Sequence, residues 1–505
     1  MNRPPKCSGF FPTFQMTFFM ASLLISGCNN NGVTAKKREP VDSKVDTANS
    51  TGSSTPAPGT KEAPTGPPSP QLPSNAAETR TGGASVPAGE PVKTETPSPA
   101  PAPKSPSPSA PAGASSSKVP AGPAFYVSPE GKDTNAGNAP SAPFATLAAA
   151  QAAMQKSAAV KTVYLMGGTY SLTGRIELGS SDLGESWLAY PGQTPILDGG
   201  GKTDMAFNIK NCQKIRVRWL TIQNFTTDGI NAEDVRDILI DSNTFKNITS
   251  SGWNQAAIKF AGSFVDGKIT HNLIKGTGYC GISGNFVAGN NLSGLLIDGN
   301  AVYDTMQSVA DGGAIYLMDR GHSGASVIIS HNIIGRYGSL KNGSKAIYLD
   351  DLLSNARVEN NIVYGTGQWA VQYHSGDHNT VRNNIFDITE AGKLGLYQNS
   401  DKFDMNSNVF ACNIVYSGDS QDMVSLWDFF KDKQVPTMPL EISGNIYWGA
   451  NGNLPNTGDI IDPKPIVANP QFADPAAANY ALKSAVPAAC FKPIETSTVG
   501  PLPNP

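Results

Sequence analysis

Short apolar runs of three to five residues alternate with polar turns along most of the chain, and an asparagine closes run after run. Asn224, Asn243, Asn272, Asn300, Asn332, Asn361, Asn384 and Asn408 each follow a short apolar strand and precede an apolar or small residue, as in Leu-Ile-Asp-Gly-Asn-Ala at 296–301. Their spacing, roughly 19 to 32 residues, is the period of a stacked architecture in which no unit buries its own apolar face. Asn amides stacked at a tight corner satisfy polar groups that the turn would otherwise leave unpaired. The pattern predicts an all-β, right-handed parallel β-helix.

A second strand aligns with this ruler. Gly229-Ile230, Ala257-Ile258, Gly281-Ile282, Ala314-Ile315, Ala346-Ile347, Ala370-Val371 and Gly395-Leu396 place one apolar residue per coil toward the core. Strand alternation then turns the next residue outward. The outward column reads Asn231, Lys259, Ser283, Tyr316, Tyr348, Gln372 and Tyr397, and two residues on it reads Glu233, Ala261, Asn285, Met318, Asp350, His374 and Asn399. With coils about 4.8 Å apart, such a face suits an extended glycan. Upstream, Phe144, Leu147, Ala150 and Met154 recur at helical spacing. A short helix there would cap the open end of the stack, whose strand edges and core are otherwise exposed.

Composition divides the chain of 505 residues. Residues 28–123 are dominated by Pro, Ser, Ala, Thr and Gly with almost no large apolar side chain, so nothing offsets the entropy of ordering them. That stretch reads as a tether reaching roughly 50 to 60 Å. Residues 124–495 then form one β-helix domain and 496–505 a C-terminal tail. The formal net charge of −3 comes with no basic stripe, which excludes nucleic acid as a partner. A monomer is expected. Cys212, Cys280, Cys412 and Cys490 match no metal spacing, leaving buried small residues or one or two disulfides.

Arg3 and Lys6 precede an apolar run from Phe18 to Ile25 that ends Leu24-Ile25-Ser26-Gly27-Cys28, which resembles the lipobox of bacterial lipoproteins. The resemblance implies a signal peptide over 1–27, a lipid anchor on Cys28 and a place in the cell envelope of a Gram-negative bacterium. Asn29 after the cysteine favours the outer membrane under enteric-type sorting. An ordinary secretory signal is the alternative, and either one implies export.

The densest polar set falls on three consecutive coils: Asp311-Gly312-Gly313-Ala314-Ile315-Tyr316, Lys345-Ala346-Ile347-Tyr348-Leu349-Asp350-Asp351, and Trp369-Ala370-Val371-Gln372-Tyr373-His374. Glycoside hydrolysis needs two carboxyl groups flanking the scissile bond, about 5 Å apart for retention and about 6.5 to 9.5 Å for inversion. Asp311 and Asp350 on adjacent coils are the candidate pair. Tyr316, Tyr348, Trp369, His374, Lys259 and Asp351 are candidate substrate contacts. Each has a plainer reading as a turn former, a strand-end cap or a cross-strand contact.

The stretches Tyr126-Val127-Ser128-Pro129, Pro143-Phe144-Ala145-Thr146-Leu147, Val163-Tyr164-Leu165 with Gly167-Gly168-Thr169-Tyr170, and Ala189-Tyr190-Pro191-Gly192 resemble the opening of β-helix carbohydrate enzymes. The pattern is most similar to glycoside hydrolase family 141. That family also looks similar around the Asp311-Gly312-Gly313-Ala314-Ile315-Tyr316 strand, with a second aspartate some forty residues on, here Asp350. The resemblance implies a polysaccharide hydrolase using those two aspartates; no cofactor and no metal ligand is expected for it. Two other classes stay open. A polysaccharide lyase or uronate epimerase would need calcium or a cation, plus a base among Lys259, Lys345, Arg320 and His374. A non-catalytic glycan-binding or adhesive β-helix would use the aspartates only as turn residues.

Overall fold

A computed structural model describes residues 122–398, 405–417, 424–426, 440–449, 452, 454 and 462–505. Cys28, the leader and nearly all of the tether lie outside the described residues, as does Asn399. Three strands recur per coil and stack into three parallel sheets of 12, 11 and 12 strands along the axis. One complete coil runs Leu295–Asp298 in sheet I, Ala301–Tyr303 in sheet II and Gly313–Asp319 in sheet III. The next coil adds Val327–Ser330, Ile333–Gly335 and Lys345–Asp350 in the same order. Every strand pair among these three sheets is parallel and each sheet grows by one strand per coil. This is the expected β-helix.

The core is the axis of the solenoid. Ile230, Ile258, Ile282, Ile315, Ile347 and Val371 form one unbroken inward column in sheet III. The expected register therefore holds through six coils and slips on the seventh, where Gly395 and not Leu396 pairs with Val371. The reason is a volume exchange at the corner. Each earlier coil presents a small residue followed by a large one, Ala346-Ile347 or Ala370-Val371. The seventh coil presents Leu394 then Gly395, and Leu394 enters the core in the small-residue column.

The asparagine ladder exists with two changes of membership. Asn243, Asn272, Asn300, Asn332, Asn361, Asn384, Asn413 and Asn445 stack at the corner between sheets I and II. Each amide oxygen accepts both from the backbone N–H and from the Nδ2 of the asparagine one coil before, as at Asn300–Asn332 (2.9 Å for both). Each Nδ2 also donates to a sheet I carbonyl, as Asn332 does to Ile297 (3.0 Å). Asn408 belongs instead to a second, shorter ladder with Asn379, one strand earlier (2.9 Å). Asn224 stands outside both, in left-handed conformation with its amide on Asp198. Leu220 holds the position above Asn243 and supplies only a backbone donor (3.1 Å).

The capping helix spans Leu147–Lys156, with Thr146 as its N-cap accepting from the Ala149 N–H. Leu147, Ala150 and Met154 are buried against the first coils. Phe144 is buried too, but as a bridge to Val127 ahead of the helix. The expected tail lies along the body. Cys490 is disulfide-bonded to Cys412, and from there the chain runs back up the solenoid. Lys492 bonds Asn383 (2.6 Å), Gly500 bonds Gly299 (2.8 Å), Leu502 bonds Ser242 (3.3 Å) and Asn504 bonds Tyr190 (2.8 Å). Cys212 and Cys280 are free and buried.

Candidate active site on the outer face of sheet III

The polar column assembles on sheet III as the register implies: Ser283, Tyr316, Tyr348 and Gln372 stand side by side on successive coils, and Met318 pairs Asp350. The face is not open. The turn after Tyr303 folds over it, so that Met306 and Val309 pack with Tyr279, Cys280, Tyr316, Met318 and Tyr348 in a separate apolar cluster outside the sheet. Tyr316 and Tyr348 are consequently only 7% and 5% exposed. Their rings, 5.1 Å apart, offer no face to a sugar. They act through their hydroxyls.

Those hydroxyls converge on Asp350, itself 5% exposed. Tyr316 donates to Oδ2 (2.7 Å), His374 Nδ1 lies 2.5 Å from Oδ1, and the Asp351 N–H donates to Oδ1 (2.8 Å). Tyr348 also hydrogen-bonds this carboxylate. Burial pushes the Asp350 carboxyl up, but the His374 hydrogen bond and charge, with the two tyrosines, outweigh it and hold the group below the usual carboxylate range. Both phenols move the other way, raised first by burial and then by the Asp350 charge. They are therefore donors at any ordinary pH and unsuited as bases.

Asp311 sits at the other end of the strands, in left-handed conformation just before Gly313–Asp319. Its side chain is 56% exposed and contacts Lys345 Nζ at 2.6 Å. Lys345 is almost wholly buried, and desolvation pulls its ammonium below the ordinary lysine value despite Asp311. Its Nζ lies 4.1 Å from the Tyr348 ring centroid and 5.5 Å from that of Trp369. Lys345 and Tyr348 thus lie between the two aspartates, Lys345 in contact with Asp311 and Tyr348 beside Asp350.

The remaining expected contacts divide. Asp351 binds Arg320 (2.6 Å) and approaches His374 Nδ1 (3.5 Å), both at the Asp350 end. Trp369 is half-buried beside Lys345. Lys259 is outside the cluster, two coils away in the Ser283–Tyr316 column, where its charge faces Asp228. Sequence reasoning missed Trp253, which is 65% exposed at the head of the same loop edge. Its ring is 6.3 Å from Tyr279, whose hydroxyl donates to the Asp311 carbonyl (2.9 Å). A tryptophan amid Ser-Ser-Gly and Asn was the available signal, since no such loop has a core to bury it.

No metal ligand was expected from the sequence, yet ligand atoms of Asp350, Asp351 and His374 lie within 4.8 Å of one another. They do not fit calcium. Both Asp350 oxygens and one Asp351 oxygen already have close partners, and the third group offers nitrogen where calcium takes oxygen.

Residues 206–386, which carry the whole site, match the model of a right-handed β-helix region. The class is therefore a right-handed parallel β-helix. A search of curated proteins finds no match to the sequence. Among solved structures, a GH136 lacto-N-biosidase from Eubacterium ramulus is similar at 12% identity over 68% of this chain and 67% of that one, TM-score 0.43. The PL6 family alginate lyase AlyGC is similar at 12% identity over 75% of this chain and 58% of that one, TM-score 0.43. Pectate lyase Pel9A is similar at 11% over 75% and 91%, TM-score 0.41.

Proposed function

We propose that the chain is an exported polysaccharide-active enzyme and that it hydrolyses glycosidic bonds with Asp311 and Asp350. The observation that carries this reading is Asp350: a buried outward carboxylate kept ionised by two tyrosines and a histidine, with a second, exposed carboxylate on the neighbouring coil. A fixed negative charge is what an oxocarbenium-like transition state requires. Asp311 takes the proton-transfer role. Asp311, in contact with Lys345 at 2.6 Å, protonates the leaving oxygen, and Asp350 takes the proton of the water that adds at the anomeric carbon. The resemblance to glycoside hydrolase family 141 supports the same two residues.

The lyase reading keeps one observation in its favour, the buried Lys345 with its lowered pKa, a fitting base beside a uronate. Arg320 and not calcium would then neutralise the acid. Incubating the domain from residue 124 with a polysaccharide panel separates the readings. Hydrolysis predicts new reducing ends that disappear, by a factor of about 10² or more, in Asp311→Asn and in Asp350→Asn. Retained cleavage in both variants excludes the pair.

Anchoring belongs to the same proposal: Cys28 carries lipid and the proline-rich stretch holds the enzyme off the outer membrane. Labelled palmitate should enter the full chain and not Cys28→Ser, and an unlabelled full chain would leave only a secretory signal.

A further inference from the structure

On the other side of the loops that carry Asp311 and Lys345, sheet II shows a column that the catalytic reading does not use. Tyr303, Gly335 and Tyr364 pair on successive coils, and Asp387 pairs Tyr416 beyond them. Tyrosines thus recur at every second coil, their backbones about 10 Å apart. The Tyr303 and Tyr364 rings lean together over Gly335, where a Cβ would stand 2.8 Å from the Tyr364 ring and 3.0 Å from that of Tyr303.

Two cavities lie beside this column, and Tyr364 and Tyr416 line the second of them. The first, about 520 Å³, lies between the 304–310 and 336–342 turns. The second, about 430 Å³, is walled by Tyr364, Asp387, Glu390, Tyr416 and the C-terminal hairpin at Tyr480. Arg336 lines both, so the two adjoin at its side chain and are taken together as one trough. Each is the size of a small-molecule site. Arg336 is engaged bidentately by Asp304 (2.6 and 3.2 Å). Asp387 is buried, its carboxylate taken by Tyr480 (2.8 Å) and by the Thr389 N–H and hydroxyl (3.0 and 2.6 Å), and exposed Glu390 stands on the second cavity, whose lining holds no cation besides Arg336.

We propose that this trough is a second glycan-binding surface, and that the segment it holds is uncharged and not a polyuronate. Half-buried tyrosine rings and carboxylates recognise the C–H faces and hydroxyls of neutral sugars. The same carboxylates repel a uronate chain. The inference rests on the glycan-active reading and narrows its substrate to neutral polysaccharide.

Affinity gel electrophoresis of the full chain carrying Asp311→Asn tests it, with xyloglucan, galactomannan, arabinoxylan and mixed-linkage β-glucan against polygalacturonate and alginate. At least one neutral polymer should retard the protein, and Tyr364→Ala should weaken that retention at least fivefold. Ser339→Trp, an exposed position that plugs the first cavity, should do the same without touching the fold. Glu390→Lys should introduce retention by polyuronate. Retention unchanged by both trough variants, polyuronate binding by the parent, or no retention by any polymer overturns the proposal. Hydrolysis by the unsubstituted enzyme, measured in parallel, reports on the catalytic reading separately.

Discussion

Asp350 shows how a single position gathers its chemistry from three coils. Its neighbours Tyr316, Tyr348 and His374 are 34, 2 and 24 residues away in the chain, and only the parallel stack brings them together. Because Tyr316 helps hold the carboxyl low, Tyr316→Phe should raise its pKa. The acidic limb of kcat/KM should then move to higher pH, and a pH profile in which it stays put would remove Tyr316 from that role. Lys345 governs the opposite limb. Its lowered pKa places the alkaline loss of activity below the ordinary lysine range, and Lys345→Arg should carry that limb upward, as a pH–rate profile would record. The positions of Tyr316, Tyr348, Asp350 and His374 were legible from strand alternation alone. The burial of Lys345 and the two tyrosines was not, because it depends on a turn carrying Met306 and Val309 over the sheet, and no periodicity in those residues announces it.

At the scale of elements, the asparagine ladder does for the corner what a sheet does for its strands. The Asn332 side chain accepts two hydrogen bonds from Asn300 and gives one each to Ile297 and Asn361 (2.9 to 3.0 Å). Asn332→Ala leaves those buried partners unsatisfied and should cost about 2 to 4 kcal/mol, read from chemical denaturation. Asn224→Ala should cost under about 1 kcal/mol, since that amide lies outside the ladder and only half-buried. Both would have been expected to behave alike from the sequence. Asn-x-apolar after a short strand describes Asn224 and Asn408 as well as the true members, and only pairing to the coil above and below tells them apart. The slip at Gly395 has the same origin. Leu394 and Leu396 are equally apolar, and the core accepts a large-then-small pair as readily as a small-then-large one.

The molecule as a whole is fastened at its ends. The helix over Leu147–Lys156 closes the first coils, and the Cys412–Cys490 disulfide fixes a C-terminal strap that reaches back to Tyr190. Closing a loop with a sequence separation of 78 restricts the unfolded chain by about 4 kcal/mol. Cys490→Ser should lower the melting temperature accordingly, and an unchanged value would deny the strap a structural role. Stability should also depend on pH through Glu185, a fully buried acid whose pKa is pushed up to about 8, by burial first and by Asp182 second. A raised carboxyl pKa contributes stability that is complete below its unfolded value and is lost as pH climbs toward 8. Glu185→Gln should therefore flatten the decline between about pH 5 and pH 8. The two ends differed in legibility: the helix was visible in its apolar spacing, whereas the strap, polar and proline-rich, looked like a tail.

Hydrolysis at the Asp311–Asp350 pair is the central claim, and the chemical nature of the new chain ends tests it most directly. Products from the polysaccharide panel should carry new reducing ends, show no ultraviolet absorption from unsaturated sugars, and be insensitive to chelator. Ultraviolet-absorbing unsaturated ends would contradict it and make Lys345 the base of a lyase.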